Sequence, residues 1–473
     1  MAGLTALQWL QAGLAKAADR PLVQYRGTWH SGAEVHAGAM GYAAQMQAAG
    51  LSSGQCVWII VTDNLTAMQM QLGAWLLGAT SLLLDFRTTA HRFAQTQGQL
   101  VPDLVVSTRR VAAAQALNPI LLTADPTQQF TPTPASADQT ADYFATSGST
   151  GLPKLTPTPQ HRLGLRIGEM IDSTDRGAWG VALSALSVAY PASRAIWLRN
   201  LAAGVPIFAL DLLHSLTDLD AALLQPDVDE CTLPPAVIRR LAHLPQGPVP
   251  RYPQLKKLQS VGGPALAADK LLTVRHLTPA YLMTYSSTEC GVISRITGAE
   301  VPDRPASCGR AVAGMQISIQ QAGQPCATGQ TGAIVVTRPD RVVVQTGDIG
   351  WLDAAGYLYI TGRVQGLLCR NGVNFSAERL TDAALLSPDV TDAVVIAMPG
   401  PDGGDQVHLL VECAKAAQAA VATTLRIHLP AAEQPDQIHF RRFLPRGPSG
   451  KIDRPQLQAE LYEYGGKEQN HDH

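Results

Sequence analysis

Residues 143–156, YFATSGSTGLPKLT, combine the residue types that bind an anionic ligand. Gly148 and Gly151 let the backbone bend closely around a ligand, while the neighbouring hydroxyls and amides supply hydrogen-bond donors. Lys154 adds a mobile positive charge, and the combination suits the phosphates of a nucleotide. The segment is not the common G-x-x-x-x-G-K-[ST] loop, because Pro153, which lacks a backbone N–H, stands where that loop has its second glycine. These residues alone fit a polar surface loop equally well.

The overall composition favours a compact enzyme-sized protein and argues against several other classes. A chain of 473 residues predicts about two to four domains, and 46% hydrophobic residues can fill large cores. The net charge is −2 and there are no runs of like charge, so the sequence shows no basic region of the kind that binds nucleic acid. The seven cysteines are scattered and form no C-x-x-C, which favours a reducing compartment over a zinc site or a disulfide frame.

The N-terminus has neither the basic cluster nor the long apolar core of a signal peptide. The longest apolar stretch, residues 72–84, is interrupted by Gly, Thr and Ser and falls short of the ~18 residues of a membrane span. We therefore predict a cytoplasmic protein without a membrane span.

The hydrophobic pattern predicts a βαβ unit ahead of the opening segment. The continuous apolar run over 55–61 predicts a strand that is buried on both faces. Asp63 or Asn64 can cap the helix that follows, in which apolar residues recur at helical spacing over 65–76 until Gly78. A second strand is predicted over 80–84. A further short strand is predicted over 104–107, and the stretch 111–142 is loop-like.

Beyond the opening segment the alternation resumes, and near residue 315 it changes to a mostly β pattern. Strands are predicted over 181–188, 205–210, 257–261, 281–285, 315–320, 333–337 and 357–360. Helices are predicted over 193–203, closed by Gly204, and over 267–276. After residue 362 a small α/β segment follows. We therefore predict an α/β fold whose large N-terminal domain, 1–362, has two βαβ-type subdomains and a β-rich subdomain. A small mobile α+β domain, 363–473, completes it.

Five later features place chemically useful groups next to predicted strands or on loops. They are Gly262-Gly263, the box Tyr285-Ser286-Ser287-Thr288-Glu289, Thr346-Gly347-Asp348, Gly362-Arg363, and Lys451 in the loop PRGPSGKIDR. Ligands of open α/β sheets bind outside the carboxyl ends of strands, where the first two lie. Taken singly, Glu289 is better explained as a helix cap, Asp348 as a turn residue and Lys451 as a surface charge. Their joint occurrence favours a nucleotide site.

In this order the motifs resemble those of the acyl-adenylate-forming superfamily, which includes acyl- and aryl-CoA synthetases, adenylation domains and luciferases. The resemblance covers nearly the whole chain, since residues 51–85 also look like the family's first helix–strand region. It implies a two-step reaction. A carboxylate attacks the α-phosphate of ATP to give an acyl-adenylate and pyrophosphate, and a thiol then displaces AMP.

The same resemblance implies a role for each matching residue. The phosphates would be bound by Thr146, Ser147, Gly148, Ser149, Thr150, Gly151 and Lys154; adenine by Gly262, Gly263, Tyr285 and Ser286; and the ribose by Asp348 and Arg363. The catalytic residues would be Lys451, Thr288 and Glu289, with Glu289 also holding Mg²⁺, a cation that prefers oxygen ligands. Lys451 must leave before the thiol attacks, which in the family happens by rotation of the small domain about a hinge.

Three positions depart from the family pattern. The hinge residue is Gln365, where relatives usually carry Asp or Lys; Leu155 replaces a frequent glycine; and the stretch 338–345 is shorter than in many relatives. An uncharged hinge residue is expected to shift the balance between the two conformations. The chemically necessary residues are all present.

The pair Ala189-Tyr190 suggests the class of the carboxylic acid substrate, because it resembles the pocket of benzoate-type aryl-CoA ligases. Tyr190, Ala189, Gly262 and Ser286 are the predicted pocket residues, although Tyr190 is equally well explained as an ordinary packed aromatic. An α-amino acid is disfavoured, because the aspartate that pairs with its ammonium is absent.

Three functions remain open. They are a ligase for an aryl or short to medium acid that uses ATP, Mg²⁺ and CoA, an enzyme that loads the phosphopantetheine of a carrier protein, and a nucleotide-binding scaffold without turnover. The predicted partners are the acid and CoA or an acyl carrier protein, with a homodimer left open.

Overall fold

The computed structural model describes residues 3–123, 125–128, 130–133, 136–147, 153–172, 180–244, 247–287, 290–363, 367–370, 373–387, 389–399, 405–446 and 452–468. The chain divides into two compact units, which are described separately below. The first comprises Met1–Leu233 with Gln254–Leu258, and the second comprises Pro234–Pro253 with Gln259–His473.

The first unit is a mixed α/β body. Its helices are α1 (Ala6–Lys16), α2 (Gly32–Ala48), α3 (Asn64–Leu76), α4 (Ala90–Gln97), α5 (Gln160–Asp172), α6 (Pro191–Ala203) and α7 (Leu216–Leu223). Its strands are β1 (Pro21–Tyr25), β2 (Thr28–Ser31), β3 (Cys56–Val61), β4 (Thr80–Asp85), β5 (Leu104–Ser107), β6 (Ile120–Leu121), β7 (Thr140–Ser147), β8 (Pro153–Pro159), β9 (Val181–Ser184), β10 (Ile207–Ala209) and β11 (Val228–Leu233). A short 3₁₀ helix spans Ala112–Leu117.

Two groups of mainly parallel strands organise this unit. One sheet has the order β6-β5-β3-β4-β7-β8, and only its last pair, β7 with β8, is antiparallel. The other strands lie in the order β11-β9-β10-β1-β2, parallel except for the hairpin β1-β2. Strands β3 and β4 are buried at every position, as the apolar run predicts for a strand covered on both faces.

Local capping signals fix several helix ends in this unit. Thr5 and Ser31 form capping boxes at the starts of α1 and α2, with Gln8 and Glu34 as the reciprocal partners. Helix α6 ends at Gly204, whose φ of 68° is the left-handed conformation that glycine adopts without strain.

The second unit combines antiparallel sheets with a small α/β segment. Its helices are α8 (Pro235–Ala242), α9 (Ala267–Leu272), α10 (Ala377–Leu385), α11 (Gln418–His428) and α12 (Arg454–Glu468), and a π turn over Thr273–Leu277 follows α9. Strand β12 (Lys257–Ser260) leads from the first unit into the second. The other strands are β13 (Tyr281–Ser287), β14 (Gly291–Thr297), β15 (Arg310–Ala311), β16 (Gln316–Gln321), β17 (Gln324–Pro325), β18 (Gly332–Thr337), β19 (Val343–Leu352), β20 (Leu358–Arg363), β21 (Leu367–Arg370), β22 (Val373–Ser376), β23 (Val390–Pro399), β24 (Asp405–Cys413) and β25 (Gln437–Arg441).

Three of these strand groups matter for the site. Strands β13, β14 and β15 pair antiparallel, and β12 lies beside β13. A five-stranded antiparallel sheet has the order β17-β16-β18-β19-β20. The later segment holds the sheet β23-β24-β25, in which β24 and β25 run parallel.

The α/β prediction is confirmed, and the strands predicted from residue 315 onward lie in an antiparallel sheet. Antiparallel pairing begins earlier than predicted, between β13 and β14. The strand predicted over 181–188 was too long, because β9 ends at Ser184 and the backbone beyond it bonds to a side chain instead of a neighbouring strand. The domain boundary at residue 362 stays a prediction. In the described part of the chain, every helix is too short or too polar to cross a bilayer.

Candidate active site

The predicted phosphate-binding segment includes the paired ends of strands β7 and β8. Strand β7 pairs antiparallel with β8, and the register sets Thr146 opposite Lys154 and Ser147 opposite Pro153. The hairpin therefore brings the two ends of the glycine-rich stretch together at the carboxyl end of β7, which runs parallel to β4. Residues 148–152, which include four of the predicted phosphate ligands, lie outside the described residues.

A buried ion pair anchors the strand that leads into this segment. Asp142 of β7 and Arg194 of α6 are both fully buried, and 3.2 Å separate Arg194 Nε from Asp142 Oδ2. The guanidinium also lies over the Phe144 ring, 4.4 Å from its centroid. Burial raises the pKa of Asp142 to about 6, although Arg194 and the hydroxyl of Ser81 act in the opposite direction. Strand β7 is thus fixed to the helix that begins at the predicted acid pocket.

Ala189 and Tyr190 lie immediately before that helix. Tyr190 occupies the N-cap position of α6, and Pro191 begins the helix, where its missing N–H is not needed. Tyr190 is partly buried, and burial raises the pKa of its phenol. An apolar ring in this half-buried position fits the wall of a pocket for an organic acid.

The predicted adenine site begins directly after β12. Gly262 has a φ of 87°, which side-chain-bearing residues rarely adopt. A Cβ placed on Gly263 would approach no atom closer than 3.9 Å, the nearest being the Pro235 ring. Gln259 of β12 donates a hydrogen bond to Thr284 of β13 at 3.3 Å, so the glycines and Tyr285 follow neighbouring strands. The open space beside Gly263 suits a flat ring.

The structure brings together Tyr285, Asp348 and Arg363. The Tyr285 hydroxyl donates to Asp348 Oδ2, and Arg363 Nε donates to Asp348 Oδ1 at 2.7 Å. Asp348 and Arg363 are cross-strand partners of β19 and β20, and the Asp348 amide donates to Thr346 Oγ1 at 3.1 Å. Three residues that are distant in sequence therefore form one polar cluster.

The electrostatics of this cluster differ from one end to the other. The Asp348 side chain is 6% exposed, whereas the Arg363 side chain is 67% exposed. Burial, followed by donation to the Asp348 carboxylate, raises the pKa of Tyr285 far above its usual value, so the phenol stays protonated. A buried carboxylate with two acceptor oxygens beside an exposed cation fits two ribose hydroxyls and a nearby phosphate. Ser286 is exposed just beyond a bulge that follows Tyr285.

The remaining predicted site residues lie outside the described residues. They are Thr288, Glu289, Gln365 and Lys451. Among the described side chains no group of three His, Cys, Asp or Glu residues is placed to hold a metal ion. The assignment of Mg²⁺ to Glu289 stays a prediction.

A family model described as AMP-binding enzyme matches residues 10–343. The chain belongs to the AMP-binding enzyme family. This membership confirms the superfamily that the ordered motifs indicated. Named acid–CoA ligases are among the relatives of this chain.

Similar proteins extend over nearly the whole chain. A 2-succinylbenzoate–CoA ligase of Geobacillus kaustophilus is 23% identical over 457 residues, which cover 90% of this chain and 92% of that protein. A fatty acid–acyl-carrier-protein ligase, ScoC of Streptomyces coeruleorubidus, is 25% identical over 362 residues, 70% of this chain and 69% of that protein.

The fold of the AMP-binding enzyme is also found among solved structures. The o-succinylbenzoate CoA synthetase of Bacillus subtilis, in complex with ATP and a magnesium ion, matches with a TM-score of 0.80 at 19% identity. The match covers 95% of this chain and 99% of that one. The arrangement of sheets and helices is therefore that of this fold.

Two functionally placed groups were missed by sequence reasoning. Asp142 and Arg194 form the buried pair described above, and the only local signal was a charged residue inside the apolar run ADYFA. Asn64 was weighed only as a helix cap, a role that the structure gives to Asp63.

Proposed function

We propose that the protein activates a small aryl or short to medium carboxylic acid with ATP and transfers the acyl group to CoA. The cluster of Tyr285, Asp348 and Arg363 carries this proposal, because it sets a buried carboxylate and an exposed cation beside an aromatic side chain. An aromatic face, a diol acceptor and a phosphate-pairing cation are what an adenylate needs.

The motifs assign the parts of the nucleotide to different residues. Gly262, Gly263 and Tyr285 would enclose adenine, and Asp348 would accept the ribose hydroxyls. Residues 146–154 would surround the β- and γ-phosphates with backbone donors, hydroxyls and Lys154. In this arrangement the hairpin holds the pyrophosphate that departs, not the bond that forms.

Adenylation brings two anions together, so the site has to neutralise charge as it develops. Lys451 would bridge the attacking carboxylate oxygen and the α-phosphate, and Thr288 would contact the same phosphate. Mg²⁺ held by Glu289 would supply Lewis-acid stabilisation, an effect worth several kcal/mol in metal-assisted reactions. The carboxylate oxygen bonds to phosphorus as pyrophosphate leaves.

The second step needs a different arrangement of the same residues. The CoA thiolate attacks the acyl carbon and AMP leaves, which requires that Lys451 no longer occupy the approach to that carbon. We assign this exchange to rotation of a small domain, 363–473, against a large domain, 1–362, with Gln365 at the hinge. Conformational steps of this kind commonly accompany multistep catalysis.

The acid is expected to carry an apolar or aromatic body. Tyr190 lies half-buried at the start of α6, next to Ala189, so a ring can pack against it. The family resemblance also assigns Ser286 and Gly262 to the acid pocket. A cytoplasmic location, where CoA and ATP are available, belongs to the same proposal.

Hydroxylamine-trapped pyrophosphate release, measured across aryl, aliphatic and amino acids, tests the first step. We expect release with aryl or short to medium acids and little with amino acids. Activity confined to amino acids would overturn the assigned acid class, and silence with every acid would favour a nucleotide-binding scaffold.

The acceptor is tested separately. Supplying CoA and then a holo carrier protein to the adenylate should yield thioester with CoA. If thioester forms only on the carrier protein, then the carrier protein and not CoA is the acceptor, an outcome compatible with the ScoC relative. The proposed adenylation step would be unaffected by that result.

A further inference from the structure

The buried side chain of Asn64 holds a segment of backbone far away in sequence. Asn64 is the first residue of α3 and is completely buried. Its Oδ1 accepts a hydrogen bond from Val188 N at 2.9 Å, and its Nδ2 donates to Leu186 O at 2.9 Å. One amide group therefore satisfies a donor and an acceptor of the same short segment, as a neighbouring strand would do.

The segment needs this support because it has left the sheet. Strand β9 ends at Ser184, and the chain then turns toward Tyr190 and helix α6. Ser193 Oγ, on the first turn of α6, donates to the same Leu186 carbonyl at 2.8 Å. Trp197 Nε1 donates to Ser184 Oγ at 2.7 Å. The segment 184–188 is thereby fixed from α3 on one side and α6 on the other.

The support is itself rigid. Every residue of α3 except Thr66 is buried, and Asp63 caps the helix by accepting from Thr66 N at 2.8 Å. The side chain of Asn64 is therefore not needed as a cap, and its two polar ends are both used on the segment. Binding both Val188 N and Leu186 O requires an amide, which has a donor and an acceptor on separate atoms. A carboxylate has no donor for Leu186 O, and the single oxygen of a hydroxyl cannot lie where both amide atoms lie.

The fixed segment leads directly into the predicted acid pocket. Ala189 and Tyr190 are the next two residues, and Tyr190 N donates to Ser187 O at 3.0 Å. Ser184, Leu186 and Ser193 also line a cavity that Trp197 and Thr232 help to enclose. A shift in the backbone of this segment would therefore move Ala189 and Tyr190, the predicted wall of the acid pocket.

We propose that Asn64 is a positioning residue for the carboxylic acid, which it affects by holding segment 184–188 and hence Ala189 and Tyr190 in place. The inference rests on the proposed function, since it assumes that the acid binds beside Tyr190. Asn64 does not contact the reacting atoms and acts only through the backbone of Leu186 and Val188.

The test compares the KM for the acid with the KM for ATP and the kcat. Asn64→Ala removes both hydrogen bonds and leaves a buried carbonyl and a buried N–H without that partner. We expect the KM for the acid to rise by about 10-fold or more, with the KM for ATP and the kcat at saturating acid within about two-fold of wild type. Asn64→Asp, which keeps an acceptor for Val188 N but loses the amide donor, should show a smaller rise.

A matched control is available on the same helix. Gln69 is also buried, at 7% exposed, but its amide packs against Gly38 of α2 and not against segment 184–188. Gln69→Leu should lose stability without a change in the KM for the acid. Hydrogen exchange of the peptide over 184–190, measured without substrates, should accelerate in both Asn64 variants and not in Gln69→Leu.

The outcomes distinguish this inference from the proposed function. If wild type releases no pyrophosphate with any acid, the proposed function fails. If wild type is active and Asn64→Ala retains the wild-type KM for the acid, or if all kinetic constants fall together with the folded fraction, Asn64 is only structural. Should Asn64→Ala not fold, Asn64→Asp decides by the same two measurements.

Discussion

Arg194 in helix α6 and Asp142 in strand β7 form an ion pair in which both side chains are fully buried, with 3.2 Å between Nε and Oδ2. The pair joins the strand that leads into the phosphate-binding hairpin to the helix that begins at Tyr190. Two halves of the proposed substrate site thus share one electrostatic anchor. Removing two charges from water is costly, so the pair is expected to specify geometry more than to add stability.

Removing the cation alone should destabilise the fold strongly. Arg194→Met leaves the Asp142 carboxylate buried without its partner, which typically costs about 3–5 kcal/mol in the free energy of unfolding. Urea unfolding at pH 7.5 measures this loss. The double variant Asp142→Asn with Arg194→Met should recover much of it, because no buried charge then remains. A double variant as unstable as the single one would show that packing, and not charge, is responsible.

The same pair predicts a pH dependence. The pKa of Asp142 is raised to about 6 in the folded protein, so its contribution to stability is fully present below the unfolded pKa and is lost as pH rises through about 6. Without Arg194 that pKa rises further. The destabilisation by Arg194→Met should therefore be larger at pH 7.5 than at pH 5. Equal destabilisation at both pH values would contradict the raised pKa.

Asp348 should determine recognition of the ribose. Asp348→Asn replaces a carboxylate that Arg363 balances with a neutral amide, and we expect the affinity for AMP to fall by about 10-fold or more. Isothermal titration should also show that wild type prefers AMP to 2′,3′-dideoxy-AMP and that the variant has lost this preference. An undiminished preference in the variant would place the ribose elsewhere.

Lys451 should separate the two half-reactions. Lys451→Ala is expected to slow acid-dependent pyrophosphate release by about 100-fold or more, because it removes a preorganised cation from the developing charge. Thioester formation from a presynthesised adenylate should continue. Lys415→Ala, a change at an exposed lysine of the same C-terminal segment, serves as the control and should affect neither step. Equal loss of both steps in Lys451→Ala would refute the assigned role.

The hinge residue should affect the steps unequally. Gln365→Asp introduces the charge that relatives often carry at this position, and it should shift the balance between the two conformations. We expect a larger change in the rate of the thiol step than in adenylation, measured in separate single-turnover experiments. No change in either rate would remove Gln365 as a hinge determinant.

Much of this protein was determined by short stretches of sequence. The apolar run before Val61 predicted a strand buried on both faces, and Gly204 predicted the end of α6; both depend only on neighbouring residues. The order of the glycine-rich, aromatic and acidic motifs was sufficient to predict the family. The types and order of these motifs are visible in the sequence even though the fold brings some of them together from distant segments.

The tertiary structure decided which distant polar groups meet. Asn64 and Val188 are 124 residues apart, and Asp142 and Arg194 are 52 apart, so no local periodicity links them. The sequence offered Asn64 as a helix cap because its side chain, like that of its neighbour Asp63, can accept a hydrogen bond. The strand predicted through Val188 ends earlier because the Asn64 amide takes the place of the backbone hydrogen bonds that a neighbouring strand would make. A buried polar group is satisfied by whatever the fold brings within 3 Å of it. The spacing of residues along the sequence does not predict which of these groups come into contact.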